Sequence, residues 1–194
     1  RPPSSGMGAF DPEWLAKRAA DRNIEGPPEA VVGHCYRELV RLTKETLLNL
    51  GALFPEYHGE GYEVSGFVWF QGWNDVIDES THAEYGPNLA NLLRDLRKDL
   101  GVPNLPMVVG ELGQSGPAEG IPERYRAKHL GFRAQQESVA KLPEFAGTVR
   151  YVPTSPYVVL DGPEFDGGYH YGGRADTFFG IGNALGEAMV ELMK

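Results

Sequence analysis

Three short apolar runs constrain this chain more than any other feature. Residues 65–70 (SGFVWF), 105–110 (LPMVVG) and 148–152 (TVRYV) are too short for helices and are rich in β-branched and aromatic side chains. The first two are nearly continuous apolar runs, the pattern of strands buried on both faces of a parallel sheet. A helical pattern follows each run. Over 87–100, Leu89, Leu92, Leu93, Leu96 and Leu100 recur on one side, with Arg94, Arg97 and Lys98 outward. Residues 122–142 and 175–189 read as the next two helices. Alternating strand and helix predicts an α/β fold, a parallel sheet with helices on both faces. Upstream, Asp11-Pro12-Glu13 marks the start of a short helix ending near Asn23. Residues 29–50 predict a longer one whose apolar stripe holds Val32, Cys35, Tyr36, Leu39, Val40, Leu47 and Leu48. With 194 residues and no internal repeat, 1–194 reads as a single domain.

Charge and composition then remove whole classes of function. Eighteen basic against 27 acidic side chains give a net charge of −9, which argues against nucleic acid and anionic membranes as partners. No apolar run approaches the roughly 18 residues of a membrane span. One cysteine, Cys35, excludes an internal disulfide and a thiolate zinc site. Asp161, Glu164 and Asp166 miss the spacing of a calcium loop, and neither an H-E-x-x-H helix nor a glycine-rich phosphate cradle occurs. Neither metal nor cofactor is therefore expected.

Parallel sheets bind ligands outside the carboxyl ends of their strands, which directs attention to residues 71–75, 111–115 and 153–170. In Gln71-Gly72-Trp73-Asn74-Asp75 the glycine lets the backbone turn toward a ligand, and the Asn74 amide can donate to an oxyanion. The same string is also ordinary turn chemistry after a strand. In Asp166-Gly167-Gly168-Tyr169-His170-Tyr171, an acid precedes a histidine that a glycine-rich loop can present, as a general base oriented by a carboxylate requires. The bland alternative is a histidine in a tight turn before the last helix. His34, His58, His82 and His129 read as surface residues or local hydrogen-bonding groups. Glu111, at the end of the second strand, is a candidate acceptor behind the site. Ser115 is a weak candidate nucleophile, because Pro117 stands where G-x-S-x-G requires glycine.

Three blocks in this order resemble the SGNH hydrolases, specifically the sialate O-acetylesterase-like carbohydrate esterases. They are Gly66-Phe67-Val68-Trp69-Phe70-Gln71-Gly72-Trp73-Asn74-Asp75, which contains G-x-N-D; Val109-Gly110-Glu111-Leu112-Gly113; and the run from His170 to Met189. The resemblance implies a three-layer α/β/α, flavodoxin-like fold and a serine esterase that removes acetyl or other short acyl groups from carbohydrates, without a metal. It implies His170 as base, Asn74 as oxyanion donor, and Gln71, Gly72, Trp73, Glu111 and Tyr169 around the pocket. The family's acid stands three residues before the histidine, where this chain has Gly167. Asp166 is one position further away, with Glu164 and Asp161 as fallbacks.

The family's G-Q-S-N nucleophile block is absent, and the chain opens at Arg1. It is therefore expected to be the C-terminal part of such a domain, lacking the first two strands and the catalytic serine. Strand 66–70 would then be an apolar edge without the Lys or Pro that protects edges, so a companion N-terminal segment or a second copy is expected to cover it. An extracytoplasmic location follows from the resemblance alone. The alternative reading is a non-catalytic glycan-binding or scaffold module, or an inactive fragment, with Trp69, Trp73, Tyr169 and Tyr171 as stacking surfaces.

Overall fold

The computed structural model describes residues 12–21, 23–159 and 169–194, in two compact units, residues 1–63 and 64–194. In the first unit, helix α1 (Pro12–Asp21) is followed by a 3-10 turn, Pro28–Val31, with Leu15, Ala19 and Val31 buried. Helices α2 (His34–Leu48) and α3 (Leu50–Leu53) complete it. The long helix expected over 29–50 is thus interrupted. Gly33 adopts a left-handed conformation (φ 67°) ahead of α2, and Arg37 folds back to donate to the carbonyls of Val32 and Ala30. No residue of α2 is buried, because periodicity records which side chains share a face and not what covers that face.

The second unit carries the α/β architecture. Strand β1 (Phe67–Trp69) leads to α4 (Trp73–Ile77), α5 (Glu79–His82) and α6 (Tyr85–Leu100). Strand β2 (Met107–Gly110) leads to α7 (Glu123–Ala140), and β3 (Val149–Val152) leads to α8 (Ala175–Leu192). The strands form a parallel sheet in the order β1-β2-β3, with Val68 opposite Val108 and Val108 opposite Arg150. Side chains alternate across this sheet. Val108 and Val152 pack with Val158, Tyr171, Ile181, Leu185 and Ala188 on the α8 side. Leu93, Leu96, Phe132, Val139 and Phe145 are buried residues of α6, α7 and the turn that follows α7.

Two sequence expectations need correction. Arg97 does not face solvent: its guanidinium lies 5.2 Å from the Phe145 ring centre and donates to the Leu105 carbonyl (3.0 Å) and to Thr148 Oγ1 (2.7 Å). Its long apolar stem crosses the helix surface and lets the charge reach loop oxygens on the core side. Strand β1 is not buried on both faces either. It stands at the sheet edge among the described residues, and Val68 and Phe70 are 44% and 36% exposed. Among the described residues, no helix is long and apolar enough to cross a membrane.

Candidate functional site

Gln71 and Gly72 leave β1 and lie against the buried side of α7. Gly72 has φ 155°, and a Cβ built there would lie 2.6 Å from Phe132 Cε1, so a side chain is excluded for both backbone and packing reasons. The Gln71 carbonyl accepts from Tyr85 Oη (3.0 Å) and from Gln136 Nε2 (3.2 Å), while its side chain donates to Asp75 Oδ2 (2.7 Å). Trp69 Nε1 donates in turn to Tyr85 Oη (3.1 Å). Asn74 occupies the first turn of α4 and is exposed, whereas Trp73 lines a cavity of about 480 Å³.

The loop after β2 is fixed from the interior. Glu111 is buried and pairs with Arg133 (Nε to Oε1, 3.0 Å), and Arg133 also donates to the carbonyls of Leu112 (3.1 Å) and Gly116 (2.9 Å). The Tyr151 hydroxyl hydrogen-bonds Glu111. Burial first, then the Glu111 charge, pushes that phenol well above its ordinary range. Gln136 is fully buried. Its Oε1 accepts from the Leu112 amide (2.8 Å), and its Nε2 reaches the Gln71 carbonyl, so one side chain ties the β1 and β2 loops together. Gly113 packs so closely on the loop after β3 that a Cβ would stand 2.3 Å from both Ser155 N and Thr154 Oγ1.

His170 belongs to a short segment, Tyr169–Gly173, in which His170 (φ 47°, ψ 34°), Tyr171 (φ 56°, ψ 35°) and Gly172 are all left-handed. For a non-glycine residue this costs on the order of 1–3 kcal/mol, and such strain clusters at functional sites. Tyr171 holds the segment in place. It is buried, its Oη accepts from the Gly113 amide (3.3 Å) and bonds with Thr154, and its ring packs 5.7 Å from Phe70 and 5.5 Å from Phe178. The neighbouring His170 is exposed.

The structure thus joins the β1 loop to the β2 loop through Gln136, and the β2 loop to the His170 segment through Tyr171. Asp166, with Asp161 and Glu164, lies outside the described residues, as does the Tyr169 side chain. Ser115 Oγ and His129 Nδ1 are 3.3 Å apart in the Trp73 cavity. Burial above all, then the charges of Arg133, Lys128 and His82, holds His129 below its ordinary value. Sequence reasoning missed Arg133 and Gln136, and offered Tyr171 only as a stacking surface, whereas it is a buried anchor. A signal existed for the first two: they share one face of α7 with Phe132 and Val139, and polar residues on an apolar face call for buried partners.

The profile of the carbohydrate esterase, sialic acid-specific acetylesterase family matches residues 17–147, which include Gln71, Gly72, Trp73, Asn74 and Glu111 but not His170. A probable carbohydrate esterase of Arabidopsis thaliana is 29% identical over 100 residues, 52% of this chain and 33% of that protein. The chain therefore matches about a third of the length of this curated relative. No solved structure matches it. The chain belongs to the sialic acid-specific acetylesterase family of carbohydrate esterases.

Proposed function

We propose that the chain carries the base and one oxyanion donor of a serine esterase that removes acetyl or other short acyl groups from carbohydrates. The observation that carries this reading is the left-handed His170-Tyr171 pair anchored to the β2 loop, which Gln136 ties to the loop preceding Asn74. A serine upstream of residue 1 attacks the ester carbonyl carbon, and the His170 imidazole takes its proton. Asp166 holds the imidazole. The Asn74 side-chain amide donates to the tetrahedral oxyanion, which then collapses, and the departing sugar oxygen takes the proton from His170. Water, deprotonated by the same base, releases the acyl group from the serine. Trp73 shapes the pocket beside the ester.

Aryl acetate turnover by the enzyme with its nucleophile present tests these roles. His170→Ala is expected to lower kcat by about 10²–10⁴, the range for a general base, and Asn74→Ala by about 10²–10³. Near-normal turnover by His170→Ala rejects the base assignment.

The Ser115–His129 contact favours a second reading, in which the nucleophile lies within this chain: a neutral His129 accepts the Ser115 proton. Turnover by the 194-residue chain that disappears in Ser115→Ala would select it. No turnover, together with sugar binding, would favour a glycan-binding module.

Among the described residues β1 has no strand on its outer side, which fits a further strand supplied by a companion N-terminal segment, since an uncharged aromatic edge invites pairing. A 194-residue chain that stays monomeric and soluble at high concentration would reject this cover; a homodimer would assign it to a second copy.

A further inference from the structure

We propose that the groove between the carboxyl end of α6 and the turn after α7 is a binding site for a phosphate or sulfate group. The groove, about 590 Å³, has the size of a small-ligand site, and Arg94, Arg97, Lys98, Asn104, Glu144 and Phe145 are among the residues that line it. It lies at the amino end of the sheet, where Leu105 comes just before β2 and Thr148 just before β3. The loops that hold Gln71–Asp75 and Glu111–Ser115 leave the opposite, carboxyl end. The site therefore stands apart from the acyl-transfer chemistry and does not depend on it.

Arg97 is the residue that calls for an anion. It is only 9% exposed, and its Nε is buried with no hydrogen-bond partner among the described residues. Nη2 donates to the Leu105 carbonyl and to Thr148 Oγ1, two neutral acceptors that leave the full positive charge without a counter-charge. An unpaired charge taken out of water is costly, and burial alone pulls the Arg97 pKa below its ordinary range. Arg94, one helical turn earlier, lies 5.8 Å from the centre of the same Phe145 ring and pairs with Glu144 (2.5 Å). Lys98 is exposed on the rim and has no ion-pair partner among the described residues. Three cations against one carboxylate leave the lining doubly positive, in a chain that carries −9. A phosphate carries about −1.5 to −2 at neutral pH and balances that lining, whereas a carboxylate balances half of it. The dipole of α6 opposes an anion at this end, but the Val102 and Gly101 amides cap the carbonyls of Arg97 and Lys98 and blunt the opposition. Guanidinium groups beside an ammonium suit the several oxygens of a phosphate or sulfate.

Titration calorimetry and thermal denaturation of the 194-residue chain test this with inorganic phosphate, sulfate and phenyl phosphate, against chloride at matched ionic strength. The three oxyanions are expected to bind saturably and to raise the denaturation midpoint beyond the effect of chloride. Lys98→Ala changes an exposed side chain and is expected to weaken binding about tenfold or more, as befits a charge-assisted contact, with an unchanged far-UV spectrum. Lys98→Arg is expected to restore it. In NMR spectra the Arg97 Nε–H resonance is expected to shift with the same midpoint as the calorimetric titration. Tighter binding of phenyl phosphate than of inorganic phosphate supports an organic ester as the occupant, and equal binding supports the free anion. A midpoint shift no larger than that of chloride, full affinity in Lys98→Ala, or an Arg97 resonance that stays in place at saturation overturns the proposal. Binding lost in Arg124→Ala/Lys128→Ala overturns it as well, since the anion would then sit at the cations of α7.

Discussion

Strands β1 and β2 are alike in sequence and unlike in circumstance. Both are short apolar runs followed by a glycine-containing loop. Yet every residue of β2 is buried, while Val68 at the centre of β1 is 44% exposed. Their loops differ in the same way. The β2 loop is held from inside by a buried ion pair and a buried amide, whereas the β1 loop delivers Asn74 to solvent at the start of α4. A rigid interior side and an open side, joined by Gln136, suit a site in which one loop must not move and the other must meet a ligand.

The strongest way to break this contrast is to remove the interior support. Arg133→Met leaves the Glu111 carboxylate buried without its partner and should cost about 3–5 kcal/mol in chemical denaturation. Glu111→Gln/Arg133→Met should cost less than the sum of the two single changes, because the pair shares one network. A loss below about 1 kcal/mol for Arg133→Met would mean that the β2 loop is not held by this pair.

A smaller effect is expected from pH, through His129 behind Ser115. Its folded-state value lies below the ordinary one of about 6.5, so between the two values the unfolded chain binds more protons than the folded one. Stability is therefore fully present above about pH 6.5 and falls as pH drops through that window toward the folded value. Denaturation midpoints from pH 7.5 to 5, compared with His129→Gln, should show a steeper acid loss in the parent chain. Equal slopes would mean that the cavity wall admits the protonated ring at no cost.

How much of this was legible in the sequence follows the same division. The runs at 65–70, 105–110 and 148–152 placed the three strands of the described residues, because strand identity depends on local pattern. The β1 run by itself read as buried on both faces, and only the absence of the family's upstream blocks pointed to an edge, since burial is set by which strand pairs on each side. The break at Gly72 was legible because a glycine after a strand has a local cause, but the short helix α4 that starts at Trp73 was not. The roles of Arg133, Gln136 and Tyr171 were hidden, because their hydrogen-bond partners lie 17 to 65 residues away in the chain. Tyr171 is the clearest case: nothing in His170-Tyr171-Gly172 announces that a bulky residue sits left-handed, since the contacts to Gly113, Phe70 and Phe178 impose it.

The smallest expected effect isolates position in the sheet from everything else. Val68 and Val108 are the same residue type, are opposite one another in the β1–β2 register, and point to the same face. Val108→Ala removes fully buried methyl groups and leaves a void against Ile181 and Leu185, which should cost about 2–3 kcal/mol from transfer and cavity together. Val68→Ala removes the same atoms from a side chain 44% exposed, so in the isolated chain the loss should stay below about 1 kcal/mol. Any strand and helix that cover β1 would bury Val68 as β3 and α8 bury Val108. In a preparation containing that cover, the Val68→Ala loss should rise toward the Val108 value. A Val68 loss that remains small with the companion present would mean that the edge is free in the working protein, and that the contrast between the two strands is permanent.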